Sequence, residues 1–362
     1  MDLRSSRALA SGLVLLLALS LAGCGDGSST SISAAKPGGA PAGAGNTLDP
    51  SKPVELKHVS YDPTRELFQA INAAFAADYL KEKGTEVKIE QYHGGASAQT
   101  RNVIEGLDAD VVSLPLPTDT QAIARAGLIN EGWEERLPNH SLPYTSTIVF
   151  VVRKGNPKQI KDWPDLVQEN LQIITPSPKT SGNGKLSFLA AWGSALERGG
   201  SEDDAKKFVT EIYKRVPVLD SGARAATVTF AKKEIGDVHL TWESEAFLEV
   251  EEAKGELELV VPSVSILAEP RVAVVDVNVD RHGTRTVAED YLKFFYTDEA
   301  QKIIAQHYYR PSNPDILAQF PDQFTAVDLF TIKDVAKDWD EADKRFFADN
   351  GVFDGIYSGA AQ

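Results

Sequence analysis

The sequence predicts an α/β protein whose sheets are mostly parallel, and its length of 362 residues allows two domains with sizeable cores. Two observations predict this class. Strand-like apolar runs alternate with segments whose apolar residues recur at helical spacing, from residue 54 onwards. Some of these runs are continuously apolar, which is typical of strands that are buried on both faces of a parallel sheet.

The N-terminal segment (residues 1–23) is predicted to be a secretory signal rather than part of the fold. Arg4 and Arg7 precede an apolar run over residues 13–19, which is too short to span a bilayer. The segment LAGC that follows resembles the bacterial lipoprotein box, which implies cleavage before Cys24 and lipidation of its thiol. A secretory signal with an incidental cysteine is the alternative. Because the chain has no other cysteine, we expect no internal disulfide in the exported domain.

Residues 24–53 are predicted to be the lipidated cysteine and a flexible linker. The segment is rich in Gly, Ser, Ala and Pro, and such a composition cannot bury enough surface to offset the chain entropy. The formal charge of the whole chain is −15, and residues 1–23 carry one positive charge in excess, so the remainder has a charge of about −16. This acidity disfavours nucleic acid and anionic surfaces as partners.

In the first part of the globular chain, each predicted strand leads into a turn or a helix. Strands are predicted over residues 54–60, 87–90 and 109–114. Asp62 followed by Pro63 is a typical helix start, with an N-cap and then a proline at the first helical position. A turn of small residues at 93–99 separates the second strand from the next helix.

The second part of the chain repeats this alternation. Strands are predicted over residues 147–152, 173–176, 216–220, 235–243, 257–261 and 272–277. After the strand at 173–176, a Lys-Thr-Ser-Gly-Asn-Gly turn leads into helical spacing over residues 185–192. A similar turn of small residues occupies 221–226, and helices are predicted to dominate after about residue 286.

Several of these turns lie where ligands bind in α/β proteins, at the carboxyl ends of strands where a helix begins. They are found at Asp62, 94–97, 181–184 and 221–225. The first N–H groups of a helix lack partners within it and lie at its positive end, so such turns favour an oxyanion. Their convergence predicts an anion-binding cleft. An ordinary capped turn, with Ser181 or Asn183 as the N-cap, is the alternative at the third position.

The sequence offers few candidates for enzyme chemistry. Its six histidines form no HExxH motif or other metal-ligand spacing, and GxSxG, Walker A and GxGxxG motifs do not occur. We therefore expect no catalytic residue, no metal and no cofactor. Trp242 ends a predicted strand and is either a core residue or a ligand donor, because its indole N–H can only donate. Lys179, Lys185 and Arg224 flank the turns and are either anion contacts or ordinary surface cations.

Several stretches of the chain carry a resemblance to one family. They are residues 59–67 (VSYDPTREL), 143–150 (PYTSTIVF), 153–157 (RKGNP), 179–182 (KTSG), 219–224 (LDSGAR) and 265–270 (SILAEP). In this order they are similar to the periplasmic sulfate-binding proteins of sulfate ABC importers, from about Val54 to the C-terminus. The resemblance implies a periplasmic-binding-protein fold of type II, in which two lobes joined by a hinge close on sulfate. It places residues 54–147 and 262–362 in lobe 1 and residues 148–261 in lobe 2.

The resemblance also implies which groups bind the anion. In this family the anion accepts hydrogen bonds from backbone N–H groups, hydroxyls and an indole N–H, without a direct salt bridge. The corresponding donors in this chain are the N–H of Asp62, the hydroxyl of Ser181, the N–H groups of Gly182, Asn183 and Ala223, and the indole N–H of Trp242.

This chain departs from the family pattern at two of these positions. The family usually has Gly-Gly-Ser where this chain has Gly94, Gly95 and Ala96, so the hydroxyl is missing there. Either Ser97 reaches the anion instead, or Ala96 contributes only its N–H. Asn183 stands where the family favours a second glycine, and its N–H can still donate although its side chain needs room.

The resemblance implies an extracytoplasmic lipoprotein, not an enzyme, that binds sulfate and delivers it to the permease and ATPase of an ABC importer. We expect a monomer, held at the outer face of the cytoplasmic membrane by its lipid alone. Thiosulfate, molybdate or phosphate is the alternative ligand. An envelope hydrolase of sulfate or phosphate esters, or a purely structural lipoprotein, is the alternative class.

Overall fold

The computed structural model describes residues 52–360. The predicted signal over residues 1–23, Cys24 and nearly all of the predicted linker lie outside the described residues. None of the helices within residues 52–360 has both the length and the apolar character needed to cross a membrane.

Strands and helices alternate through most of the described chain. The strands are β1 (Val54–Tyr61), β2 (Val87–Gly94), β3 (Val111–Leu114), β4 (Tyr144–Thr145), β5 (Ile148–Arg153), β6 (Ile173–Pro176), β7 (Leu219–Asp220), β8 (Val238–Trp242), β9 (Leu257–Val260), β10 (Val264–Ile266), β11 (Arg271–Val274), β12 (Arg310–Pro311) and β13 (Asp328–Phe330). Each strand predicted from the sequence is confirmed, although β3, β7, β8 and β11 are shorter than expected. The strands that were not predicted, such as β4 and β12, are only two or three residues long.

The helices follow the strands closely. They are α1 (Arg65–Lys83), α2 (Ala96–Ile104), α3 (Pro117–Arg125), α4 (Pro138–Ser141), α5 (Gly182–Glu197), α6 (Glu202–Tyr213), α7 (Ala223–Thr227), α8 (Glu243–Glu252), α9 (Asp276–His282), α10 (Arg285–Phe294), α11 (Asp298–Gln306), α12 (Pro314–Leu317), α13 (Trp339–Ala342) and α14 (Val352–Ala360). Helices α2, α5, α7 and α8 begin one to six residues after the end of a strand, so their N-termini lie near strand ends.

Two sheets organise the described chain. The first sheet has the strand order β11-β3-β1-β2, in which β1 runs parallel to β2 and β3 while β11 is antiparallel to β3. The second sheet has the order β7-β6-β8-β5-β9, and β5 is antiparallel to both of its neighbours. Since β6, β7 and β8 are parallel to one another, each sheet has a single reversed strand, and the prediction of mostly parallel sheets is confirmed.

Each sheet is covered by helices whose apolar residues face it. In α1, Phe68, Ile71 and Phe75 are buried against the first sheet, which is the amphipathic pattern expected of a surface helix. Helix α5 is buried nearly all round over residues 182–195, which is typical of a helix that crosses a core rather than covering it. Its position brings its N-terminus between the two sheets.

The C-terminal part of the chain packs on the core of the second sheet. The ring of Phe346 lies 5.0 Å from that of Trp192 in α5, and Phe330 and Phe353 join the same core. Residues 262–362 were predicted to belong to lobe 1. Within the described chain, β13 pairs with β10 beside α5, so both strands pack with the core of the second sheet. The limits of the lobes otherwise remain a prediction.

Candidate functional site

The four turns singled out in the sequence meet at one small cavity between the two sheets. The space open to the centre of a water-sized group is about 10 Å³, about the least that can hold one water, so the walls lie close together. The lining residues are Tyr61, Asp62, Pro63, Gly94, Gly95, Ala96, Pro115, Ser181, Gly182, Asn183, Ala223 and Trp242. All the predicted ligand residues except Ser97 therefore share one cavity. Ser97 is half-buried at the second position of α2 and does not line it.

The start of α5 supplies donors from the second sheet. Ser181 is the N-cap, and its Oγ accepts a hydrogen bond from the N–H of Gly184 at 3.4 Å while its carbonyl accepts from Lys185 at 3.0 Å. This leaves the N–H groups of Gly182 and Asn183 without a partner within residues 52–360. The proton of the Ser181 hydroxyl is also left to donate, because the hydroxyl oxygen serves as the acceptor for Gly184. Ser181 can thus be the N-cap of α5 and also belong to an anion site. The two interpretations of this turn do not exclude each other.

Two further helix starts repeat this arrangement. The carbonyl of Gly95 accepts hydrogen bonds from the first turn of α2, and the N–H of Ala96 stays unbonded within the described part of the chain. The carbonyl of Gly222 accepts from Ala226 at 3.1 Å at the start of α7, and the N–H of Ala223 is left in the same way. The carbonyl of each cap residue therefore accepts a hydrogen bond from a later N–H of its helix. The first N–H of the helix stays available to the cavity.

Asp62 contributes from the end of β1. It is the first residue of a short 3₁₀ turn over Asp62–Thr64 that continues directly into α1, with Pro63 second. The N-cap is therefore Tyr61, and the prediction of Asp62 as the N-cap was wrong by one residue. The hydroxyl of Thr64 donates to the carbonyl of Tyr61 at 2.8 Å and fixes this turn. The Asp62 carboxylate lies 3.6 Å from the guanidinium of Arg65, so the negative side chain is partly compensated on its own helix.

Asn183 points its side chain away from the cavity. Its Nδ2 donates to the hydroxyl of Thr241 at 3.2 Å, and its Oδ1 accepts from the hydroxyl of Ser187 at 2.9 Å. All three side chains are buried. The Asn183 side chain therefore occupies the space between α5 and β8, on the side of the turn that faces away from the cavity. Its backbone N–H remains available on the cavity side.

Trp242 is both a core residue and a cavity residue. Only 1% of its surface is exposed, and its ring lies 5.6 Å from that of Tyr61 across the boundary between the sheets. Its indole N–H makes no hydrogen bond to any other group within residues 52–360. The two interpretations left open by the sequence are thus not exclusive: the ring packs in the core while the residue lines the cavity.

Glycines bring the walls of the cavity into contact. A methyl group on Gly182 would lie 2.8 Å from Cγ of Pro115, which belongs to the opposite wall. A methyl group on Gly95 would lie 3.1 Å from the carbonyl oxygen of Thr180, and one on Gly222 would lie 3.3 Å from the Asp62 carboxylate. The missing side chains therefore allow the backbone of each wall to approach the other closely.

The three cations that flank the turns bind carboxylates instead of lining the cavity. Lys179 contacts Asp354 at 2.9 Å and Lys185 contacts Asp343 at 2.8 Å. Arg224 is shared between two glutamates, with its nearest distance at 3.2 Å. None of the three is a lining residue. Among the described residues, no lysine or arginine thus lines the cavity, and positive potential there comes from helix N-termini.

One buried carboxyl lies close to this region. Asp119 in α3 is only 6% exposed, and burial raises its pKa to about 6, while Lys185 acts in the opposite direction and Asp343 adds to the increase. Its Oδ2 has no hydrogen-bond partner within residues 52–360. Asp119 is therefore held as a neutral acid over much of the acidic range, and it does not line the cavity.

Sequence reasoning missed Tyr61 and Pro115 among the lining residues. Pro115 follows β3 directly, at the same edge of the first sheet as Asp62 and Ala96. The signal that could have identified it was its place at the carboxyl end of a predicted strand. It was overlooked because proline offers no donor and no helix begins there at once.

Comparisons with known proteins give the family. The model of the bacterial extracellular solute-binding protein family matches residues 60–310. A thiosulfate-binding protein of Pseudomonas aeruginosa is 50% identical to this chain over 84% of its length and 92% of the relative's. A sulfate-binding protein of Salmonella typhimurium is 49% identical over 84% of this chain and 94% of the relative.

Among solved structures, the sulfate-binding protein SubI from Mycobacterium tuberculosis H37Rv has a TM-score of 0.74 and 30% sequence identity to this chain. The match covers 81% of this chain and 99% of that one. The type II periplasmic-binding-protein fold expected from the resemblance is thereby confirmed. The chain belongs to the bacterial extracellular solute-binding protein family, in the group that contains these sulfate-binding and thiosulfate-binding proteins.

Proposed function

We propose that this protein binds sulfate in the cavity between the two sheets and delivers it to the permease and ATPase of an ABC importer. One observation carries the proposal. The cavity has helix N-termini on both of its walls, with unbonded N–H groups at Ala96, Gly182, Asn183 and Ala223, and no lysine or arginine among its lining residues. Such a site suits a small, fully ionised oxyanion that only accepts hydrogen bonds.

The donor set gives a physical basis for selectivity. Sulfate near neutral pH has no proton, whereas phosphate keeps an O–H that needs an acceptor. Leaving that O–H unpaired in a water-free cavity would cost roughly 1–3 kcal/mol. Thiosulfate, with its larger terminal sulfur, remains the second candidate because a thiosulfate-binding protein is among the relatives.

Calorimetry tests this assignment directly. Sulfate, thiosulfate, phosphate and molybdate are titrated into the chain without residues 1–52. We expect sulfate to bind most tightly and phosphate to bind less well as its protonated fraction increases. Binding of another anion without binding of sulfate would contradict the proposal. Turnover of an aryl sulfate would point to the hydrolase instead, a class that the solute-binding relatives do not support.

We also propose that the two sheets are the cores of two lobes that open and close about a hinge. The support is that ligand donors come from both sheets and that the cavity is too small for an anion to pass while the walls touch. Lobe 1 would contain residues 54–147 together with the chain from β11 to β12. Strand β10 and the segment from β13 onwards would move with lobe 2, on whose core they pack.

The N-terminus supports a proposal about anchoring. The LAGC sequence ending at Cys24 favours export followed by lipidation, so that a monomer is held at the outer face of the cytoplasmic membrane. We expect wild-type protein to sediment with membranes and Cys24→Ser to be released into the soluble fraction. Equal distribution of both proteins would mean that this cysteine carries no anchor. Light scattering of the released form would check the monomeric state.

A further inference from the structure

One ion pair joins the two walls of the cavity beside the helix N-termini. Glu66 lies in α1, four residues after Asp62, and belongs to the side of the first sheet. Arg224 lies in α7, directly after Ala223, and belongs to the side of the second sheet. Nη2 of Arg224 is 3.2 Å from Oε2 of Glu66 and 3.4 Å from its Oε1. The pair thus connects α1, which continues the lining turn at Asp62, with α7, whose first residue Ala223 lines the opposite wall.

Arg224 is also fixed to its own wall. The same Nη2 lies 3.3 Å from Oε1 of Glu245, whose side chain is 2% exposed at the start of α8. Thr227 donates to the other oxygen of Glu245 at 3.4 Å. Burial would lower the pKa of Arg224, but Glu245 and Glu66 raise it, so the guanidinium stays charged. Burial raises the pKa of Glu245 to about 7, so near neutral pH this carboxyl neutralises Arg224 only in part.

The geometry assigns these groups different roles. Glu245 is buried and orients Arg224, whereas Glu66 is 39% exposed and meets Arg224 only across the boundary between the walls. If the walls move apart, the contact with Glu66 is lost while the contact with Glu245 is kept. The Glu66–Arg224 pair therefore stabilises the state in which the two walls are in contact. It does not stabilise a state in which they are separated.

We propose that the Glu66–Arg224 ion pair is a clamp that holds the cavity closed and slows release of the bound anion. The clamp rests on the proposed function, since it acts on the residence time of the anion. Neither side chain lines the cavity, so both are positioning residues and not ligands. Two further ion pairs join the two sides: Arg125 with Asp340, whose side chains are both more than half exposed, and Arg310 with Glu243, which is buried. The Glu66–Arg224 pair is better shielded than the first and, unlike the second, is exposed enough to break without burying an unpaired charge.

Glu66→Gln is the variant that isolates the clamp, because it keeps the shape of the side chain and leaves Arg224 and Glu245 paired. Its matched control is Glu211→Gln, which removes one negative charge from α6, where Glu211 pairs with Arg215 at 2.9 Å and is 42% exposed. Both variants change the net charge of this acidic protein equally. Any general effect of charge on anion binding is therefore the same in the two.

The measurement is the release rate of radiolabelled sulfate after dilution into unlabelled sulfate. We expect Glu66→Gln to release sulfate roughly 2- to 5-fold faster than wild type, the range of a partly exposed ion pair, and Glu211→Gln to release it at the wild-type rate. In an Arg224→Gln background, Glu66→Gln should have no further effect. Equal release by Glu66→Gln and wild type, or an undiminished effect in that background, would overturn the clamp.

Failure of the proposed function would be visible separately. If the wild type binds no sulfate in calorimetry, the proposed function fails, and the clamp is then tested without ligand by small-angle X-ray scattering. We expect Glu66→Gln to have a larger radius of gyration than wild type and Glu211→Gln. Identical radii for all three proteins would reject the clamp in that case.

Discussion

Single donors at the cavity should have separable effects on anion binding. We expect Trp242→Phe and Ser181→Ala each to weaken sulfate binding, because each removes one hydrogen bond to a charged ligand, which is worth about 1.5–3 kcal/mol. This corresponds to roughly a tenfold to hundredfold loss in affinity, measured by calorimetry. Trp133→Phe is the control, since Trp133 is buried in a different cluster. If both cavity variants bound like wild type, the anion would bind elsewhere.

A glycine at the cavity should be as important as a donor. Gly182→Ala would place a methyl group 2.8 Å from Cγ of Pro115 and 3.7 Å from Cβ of Ala96, both on the opposite wall. We expect its affinity for sulfate to decrease at least tenfold, while its thermal stability without ligand stays near that of wild type. Gly355→Ala in α14 is the control, because a methyl group there meets no atom within 4 Å. Unchanged affinity in Gly182→Ala would mean that the walls need not touch when the anion is bound.

At the level of residues, the sequence predicts features that depend on neighbouring positions in the chain. It does not predict features that depend on distant positions. Ser181 and Ala223 could be identified because each follows a strand and begins a helix within a few positions of the chain. Glu66 and Arg224 are 158 residues apart, so no local pattern indicates that they pair. The direction of the Asn183 side chain could not be predicted either, because it depends on a hydrogen bond to Thr241 in another strand.

Among the elements, the link from β6 to α5 is the one that tolerates least change. A methyl group on Gly184 would lie 2.6 Å from the backbone carbonyl of Ser177, which cannot move aside as a flexible side chain would. We expect Gly184→Ala to lower the free energy of unfolding by about 1–3 kcal/mol, the range for overpacked sites. Urea denaturation measures this, again with Gly355→Ala as the control. A variant as stable as wild type would show that the turn can relax.

The order of elements along the chain was predictable, whereas their assembly was only partly so. Apolar runs of four to eight residues located the strands, because burial in a sheet requires them. The reversal of β5 within the second sheet has no signature in its own residues, since an apolar run pairs in either direction. The packing of Phe346 against Trp192 likewise depends on contacts between distant parts of the chain.

For the whole molecule, stability should depend on pH through Asp119. Burial raises the pKa of Asp119 from 3.8 to about 6, so the folded state binds this proton more tightly than the unfolded state does. The resulting stabilisation is complete below about pH 4 and is lost as the pH rises through 6. Asp119→Asn removes this dependence.

We therefore expect the free energy of unfolding of Asp119→Asn to increase relative to that of wild type by about 2 kcal/mol between pH 4 and pH 7. Urea denaturation at pH 4, 5, 6 and 7 measures the difference. Asp349→Asn is a suitable control, because the Asp349 side chain is fully exposed. A difference that stays constant with pH would show that Asp119 titrates in the folded protein as it does in the unfolded chain.

The contact between Gly95 and the Thr180 carbonyl also sets a limit on exchange with solvent. The two segments are so close that a methyl group on Gly95 would lie 3.1 Å from that oxygen. In this arrangement no hydrated ion can pass between them. Arrival and departure of a ligand must then wait for the backbone segments to separate. The lifetime of the complex is thus governed by the motion that separates these segments. The anion affects this lifetime through the strength of its hydrogen bonds to the two walls, which oppose the separation.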